Sequence, residues 1–256
     1  MKRGIATLSL GLLALPLTTQ AGDVRALLDA PRAEPPAHVA YRYVIDVDAL
    51  YGEGDKADTT ATATIAVDAT QPPGSRTTVL SRTDETKKLR KIIDGVVEGI
   101  EDKDNTPERM SESFYCTLDA TGFDVKAEDA VHAVIRPDYD SMVAVMRKDG
   151  TPKGMAKRLA ERLDGEIVLA KPGLGITSSV FRMTRPMKVA LVAKIHDMEI
   201  SQACVPSPDG FMRSERFGMH STVSMMGKDV RTRMDMRVRD LEAVPLPVPG
   251  GTGAGG

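Results

Sequence analysis

Aromatic side chains are scarce in this chain. Tryptophan is absent, and tyrosine and phenylalanine together supply 4% of the 256 residues. With 14 methionines present, a core must rest on Met, Val, Ile and Leu, which makes it adaptable rather than rigidly shaped. Charge of one sign is also missing. The formal net charge is −2 and the isoelectric point about 6.1, so no global field recruits nucleic acid. Catalytic signatures are absent as well: there is no Gly-x-Ser-x-Gly elbow, no His-Glu-x-x-His, no Walker loop and no dinucleotide fingerprint after a strand.

A membrane-spanning run is lacking too. The apolar stretch Ile5 to Leu17 follows Lys2 and Arg3 and precedes Thr19-Gln20-Ala21, the pattern of an export signal cut near Ala21–Gly22. It is too short for a stable anchor, and no Cys follows Ala21 to carry a lipid. Residues 1–21 are therefore expected to be a signal peptide. The mature protein is expected to be periplasmic or secreted, with no transmembrane anchor. The two cysteines, Cys116 and Cys204, have no Cys-x-x-Cys spacing and no His cluster nearby, so zinc or redox-motif chemistry is poorly supported. In an oxidising compartment the expectation is a disulfide, with two free thiols as the alternative. Closing a loop of roughly ninety residues contributes about 4–5 kcal/mol in the chain-entropy view, and usually less.

What the chain has in abundance is period-2 alternation. Phe217, Met219, Val223 and Met225 alternate with Gly218, His220, Thr222 and Ser224; Val230, Met234, Met236 and Val238 alternate with Arg231, Arg233, Asp235, Arg237 and Arg239. That pattern on both sides of Gly227-Lys228 reads as a hairpin. Placing Gly227-Lys228 at the tip sets Met219 opposite Met236, Phe217 opposite Val238 and His220 opposite Asp235.

Before this hairpin, residues 22–38 read as a short helix and a Pro-rich lead-in. Val39–Val47, Thr60–Asp68 and Thr77–Arg82 read as a strand meander, with a turn at Gly52–Asp55. Leu89, Ile92, Ile93, Val96, Val97 and Ile100 recur at helical spacing, predicting an amphipathic helix of about 18 residues capped by Asp84 or Thr83. Ser113–Leu118 reads as a strand. Ala127–Ile135 fits either strand or helix, with strand preferred. Met142–Met146 reads as a strand and Gly154–Leu163 as a second helix stopped at Asp164-Gly165. Glu166–Ala170 and Ile176–Met183 form a strand pair, and Met187–Ile195 the first of the long strands. Ser201–Gly210 reads as a loop, and 245–256 as a disordered Pro/Gly tail.

The candidate chemistry is thin. His220 and Asp235 suggest an oriented base, but a cross-strand polar pair on a solvated face is the better account. Ser221 points to the opposite face, and Ser224 lies too far along the strand to be its nucleophile. His196, Met198, Met219, His220, Met225 and Met226 invite a copper site, yet Met219 and Met225 fall on the apolar face and His220 on the other, which favours core packing. Asp46/Asp48 and Asp102/Asp104 lack calcium-loop spacing. No metal, cofactor or catalytic residue is expected. Arg231, Arg233, Arg237 and Arg239 line one face, by default solvated and edge-protecting, alternatively a docking strip for an anionic partner.

In order of elements the chain resembles the periplasmic carriers of bacterial outer-membrane lipoproteins, the LolA/LolB-like superfamily. The residues that carry the likeness are the Val39–Val47 strand, the Leu89–Ile100 helix, Leu163-Asp164-Gly165-Glu166-Ile167, Arg185-Pro186-Met187 and the Phe217–Val238 hairpin. No residue matches the cavity arginine of those carriers. The resemblance implies an α+β fold: a strongly curved antiparallel sheet, a half-barrel of about ten strands, with two covering helices in one domain over 39–244. The likeness of fold does not carry over a substrate. The Met- and Val-rich face of the curled sheet instead suggests a non-enzymatic protein that binds or carries an apolar ligand, a lipid, acyl chain or lipoprotein, with plain core beneath the helices as the alternative. The expected lining is Phe217, Met219, Val223, Met225, Met234, Met236 and Val238. The alternative is an envelope interaction or sensor protein working through the Arg strip or the charged Glu101–Glu108 segment.

Overall fold

Alternation along each strand decides which face a residue takes, and it governs most of this molecule. The computed structural model describes residues 39–246, apart from 85, 108, 111–114, 117–121, 149–150, 172–174, 191–192 and 208–209. The expected signal peptide, the lead-in over 22–38 and the chain beyond 246 lie outside the described residues.

The opening meander is β1 (Val39–Glu53), β2 (Thr59–Asp68) and β3 (Thr77–Asp84). Tyr41, Tyr43, Ile45, Val47 and Ala49 of β1 are buried, as are Ala61, Ala63, Ile65 and Val67 of β2. They form a floor for α1 (Lys87–Glu101), which sinks Leu89 and Ile93 into it and packs Ile92, Val96, Val97 and Ile100 around them. The expected stripe is the one used, but the helix has 15 residues and its cap is Thr86, whose hydroxyl accepts from the Leu89 amide at 3.2 Å. Thr83 is held in β3 by its cross-strand bond to Thr62, so the chain stays extended past the expected cap. The far end of α1 is clamped. Buried Arg76 donates to the carbonyls of Ile100 and Asp102, two acceptors the helix leaves unpaired. Glu101 in return accepts from the amides of Gly74 and Thr77.

β4 (Phe123–Glu128) and β5 (His132–Pro137) form a hairpin, so the ambiguous stretch is strand, with a partner strand the alternation did not reveal. Met142–Met146, expected as a strand, lies inside α2 (Tyr139–Lys148). Asp138 decides the matter by accepting from the Ser141 amide at 2.7 Å, an N-terminal cap, while Met142, Val143 and Met146 share one packed side. The next helix, α3 (Lys153–Ala160), stops at Glu161–Arg162 rather than at Asp164-Gly165. Gly165 is no stop signal: it lies within β6 (Leu163–Ala170), where a Cβ would meet the Phe181 ring at 2.4 Å. Close approach across the sheet, not turn geometry, accounts for that glycine.

β7 (Gly175–Met183) pairs with β6 as expected. The supposed long strand Met187–Ile195 folds back on itself as β8 (Met187–Ala190) and the start of β9 (Ala193–Pro206), with Met187 opposite Ile195. Alternation runs unbroken through that reversal, so the sequence offers no punctuation there. β9 also absorbs Ser201–Pro206, expected as loop. The closing hairpin is β10 (Met212–Met225) and β11 (Lys228–Pro245), so Pro245, expected to open the tail, ends a strand. Its tip is Met226-Gly227, both at positive φ (52° and 80°) as a type I′ turn requires, rather than Gly227-Lys228. Phe217 therefore faces Met236 and Met219 faces Met234. That pairing differs from the expected one by two positions in all, so every side chain keeps its expected face.

The first and last described strands meet where β1 pairs with β11. The strand order is β3-β2-β1-β11-β10-β9-β7-β6-β5-β4, with β8 beside β9. This is the expected α+β arrangement, with eleven strands and three helices among the described residues instead of about ten and two, and the sheet is open, with β3 and β4 at its free edges.

Candidate functional site

The register lines side chains into rows across the sheet. One row runs Val47, Met236, Phe217, Gln202, Ser179, Ile167 from β1 to β6. The next runs Ala49, Met234, Met219, Ile200, Phe181, Gly165. Both rows belong to the helix-bearing face, since Val47 and Ala49 join the cluster under α1 while Phe181 packs against the cluster of α2 and α3.

Among the described residues, the helices cover only the two sides of this face. α1 packs on β1–β3, and α2 and α3 on the cluster containing Leu163, Met183 and Met187. Between them runs an apolar strip on β9, β10 and β11. Val47 at its margin is 1% exposed, whereas Met219 is 37% and Met225 52% exposed. Phe217, Val223 and Ile200 are half-buried. From Thr232 to Val238 along β11 the strip extends roughly 20 Å.

Polar groups interrupt it toward the hairpin tip, with Val223 and Met225 lying beyond them. The hydroxyls of Ser221 and Thr232 bond at 2.8 Å on the same face. Beyond them, Lys88 of α1 contacts Glu53 at 2.6 Å and sits over the Tyr51 ring, 4.4 Å from its centre. Lys228 reaches the same carboxylate at 3.4 Å. The hydrogen bond from Lys88, then its charge, holds the Glu53 carboxyl down to about 2. A second cluster is aromatic: the Arg213 guanidinium lies 4.7 Å from the centre of the Tyr41 ring and 5.6 Å from that of Tyr115. The Tyr41 and Tyr115 hydroxyls bond at 2.5 Å. Sequence reading missed buried Arg213 and Arg76, because a lone arginine among other charged residues carries no signal of burial.

All seven expected lining residues share the helix-bearing face. Met234, Met236 and Val238 lean on the α1 cluster, while Met219 and Met225 stay open. Cys116 and Cys204 are joined by a disulfide. It ties the Tyr115–Cys116 segment, which also bridges to the start of β10, onto a cluster containing Ala133, Ile135, Ile167 and Leu169. His220 does not face Asp235. It lies between Arg233 and Glu199, and Gly218 takes the place opposite Asp235. His196 instead bonds Ser224 at 2.5 Å, and Ser224 donates to Asp229 at 2.5 Å. The serine stands in the middle of that chain, so its proton is directed to the carboxylate and not to the imidazole.

The four arginines of β11 lie on the other face, and β11 is a central strand, so edge protection is not their role. Each has a carboxylate: Arg231 with Asp58 at 2.8 Å, Arg233 with Asp235 at 3.0 Å, Arg237 with Glu215 at 3.4 Å and Arg239 with Asp46 at 2.7 Å. The Arg239 hydrogen bond keeps the Asp46 carboxyl below its ordinary value despite some desolvation.

No family model matches this chain, and no curated protein matches it. Among solved structures, a LolA superfamily protein, NE2245 from Nitrosomonas europaea, is similar at 11% sequence identity. That match covers 85% of this chain and 94% of the other, with a TM-score of 0.26. Among the described residues, no helix is long and apolar enough to cross a membrane.

Proposed function

We propose that this protein is a non-enzymatic carrier of the bacterial periplasm that holds an apolar ligand, an acyl chain or the lipid part of a lipoprotein. The ligand lies along the strip between α1 and the α2–α3 pair. The observation that carries this reading is the exposure of Met219, 37%, in a row whose β1 member, Ala49, is core. An apolar floor open between two helical walls, lined by flexible thioethers, suits a chain of variable shape. The Ser221–Thr232 pair and the Lys88–Glu53–Lys228 cluster place polar groups where a headgroup would emerge. Export through residues 1–21 and the disulfide fit an oxidising compartment.

Docking of an envelope partner through Arg231, Arg233, Arg237 and Arg239 has less to stand on, because each guanidinium already holds a carboxylate. Glu101 of the charged segment is likewise engaged, in clamping β3.

The test is native mass spectrometry of the purified protein together with uptake of an environment-sensitive fatty-acid probe. The expected result is a bound apolar species or saturable uptake, weakened about tenfold by Met219→Glu, which sets a charge on the strip. No co-purifying species and no uptake would refute the carrier reading.

A further inference from the structure

The face away from the helices carries a depression of about 510 Å³, bordered also by Phe217 and Met236, whose side chains alternation turns to the helix-bearing face. Its walls include Asp48, Asp235, Arg216 and Arg237, and its floor includes Gly218 and Ser201. Register explains the arrangement. Asp48, Asp235, Gly218 and Ser201 form one row across β1, β11, β10 and β9, and in the adjoining row Arg237 stands directly opposite Arg216. Depth comes from Gly218, where a Cβ would lie 2.7 Å from the Ser201 hydroxyl and 3.1 Å from the Asp235 carboxylate.

The charges are arranged unfavourably for a bare surface. Like charges directly opposite one another across an antiparallel pair are destabilising, and here there are two such pairs side by side, one cationic and one anionic. Asp235 has a partner in Arg233; Arg237 has Glu215 at 3.4 Å and Asp46 opposite it on β1, so it is the less demanding of the two arginines and Arg216 carries the unmet charge. Arg216 and Asp48 have no ion-pair partner among the described residues. The two pairs are two residues apart along the strand, a separation of roughly 7 Å. A ligand with opposite charges a few ångströms apart would relieve both repulsions at once, and neither a simple anion nor a simple cation would.

We propose that this depression binds a small zwitterion, with a carboxylate or phosphate between Arg216 and Arg237 and an amine between Asp48 and Asp235. Guanidiniums suit either oxyanion, since their forked donors match both, and the Ser201 hydroxyl is available at the floor. The site lies on the opposite face from the carrier strip and stands whether or not that strip holds a lipid.

Calorimetric titration of the intact protein tests it, with O-phosphoethanolamine and γ-aminobutyrate as zwitterions, inorganic phosphate and ethanolamine as the halves of the first, and butyrate and butylamine as the halves of the second. At least one zwitterion is expected to bind, and which one does so tells phosphate from carboxylate recognition. Each half should bind about tenfold more weakly or less. Arg216→Gln and Asp48→Asn should each weaken the zwitterion about tenfold, whereas Arg231→Gln, outside the depression, should leave it unchanged. These three positions lie at the protein surface, and unchanged thermal melts confirm that the variants fold. No binding of either zwitterion, phosphate binding as tightly as phosphoethanolamine, or equal losses in Arg231→Gln would each overturn the proposal.

Discussion

Ile65 and Met219 occupy the same kind of position: each is the in-facing residue of an alternating strand, on the same face of one sheet. Ile65 is 0% exposed and Met219 is 37% exposed. What separates them is the cover. α1 lies over β1–β3, and nothing equivalent among the described residues lies over the middle of β10. Period-2 patterning specifies a face, and a second layer specifies whether that face becomes core or remains a surface. Residue type does not make the difference: Ala, Val, Ile and Leu fill the side under α1 together with Tyr41 and Tyr43, but the cluster under α2 and α3 holds buried Met142, Met183 and Met187, as methionine-rich as the open strip.

The contrast can be broken most directly on the covered side. Leu89→Ala removes a side chain that is 0% exposed beneath α1, and a cavity there is expected to cost about 2–5 kcal/mol. A denaturant melt of the variant checks it. A loss under about 1 kcal/mol would mean that α1 is not seated as described and that the two sides are alike. Met219→Ala is the matching change on the open strip. Its side chain is already partly hydrated, so its loss should cost no more than about 1.5 kcal/mol, measured the same way. A larger cost would show that Met219 is core and that the strip is closed in solution.

Much of this was legible beforehand, for reasons that also explain the failures. The faces of β1, β2, β10 and β11 could be read because one strong period runs through each of them. The stripe Leu89 to Ile100 could be read because a 3.6 period lies between two 2.0 periods. Register could not be read to the residue: Met226 at positive φ moves the tip by one position, and methionine gives no warning of it. α2 was missed because Met142–Met146 alternates within a helix, and Asp138, which caps it, sits outside the apolar pattern. The reversal between β8 and β9 has alternation on both sides. For the candidate strip the alternation put all seven residues on one face, as the sheet does. It could not tell lining from core, because the covering elements belong to other parts of the chain. The pairing of the β11 arginines was likewise out of reach, since Asp46, Asp58 and Glu215 come to them only through the sheet.

The smallest effect tests what keeps the cover on. Glu101 is partly desolvated, which opposes ionisation, but the Thr77 hydroxyl and the amides of Gly74, Thr77 and Arg76 all donate to its carboxylate. The balance lowers its pKa below the ordinary 4.5. A carboxyl with a depressed folded-state pKa contributes stability that is fully present above the unfolded value and fades as pH falls through the folded one. The clamp between α1 and β3 should therefore hold at neutral pH and weaken progressively below about 4.5, with the Arg76 bonds to the helix carbonyls remaining. Glu101→Gln keeps an acceptor oxygen but loses the charge, and should cost roughly 0.5–1 kcal/mol at pH 7. Its stability should also fall less steeply with acid than that of the native chain in this window. Hydrogen exchange at the Ile100 and Glu101 amides, followed from pH 6 to pH 3 with correction for intrinsic rates, reads the clamp locally. If protection there changes no more than at Ile65, or changes identically in the variant, Glu101 is not what holds α1 over the covered side. The difference between the two sides would then rest on the packing of Leu89 and Ile93 alone.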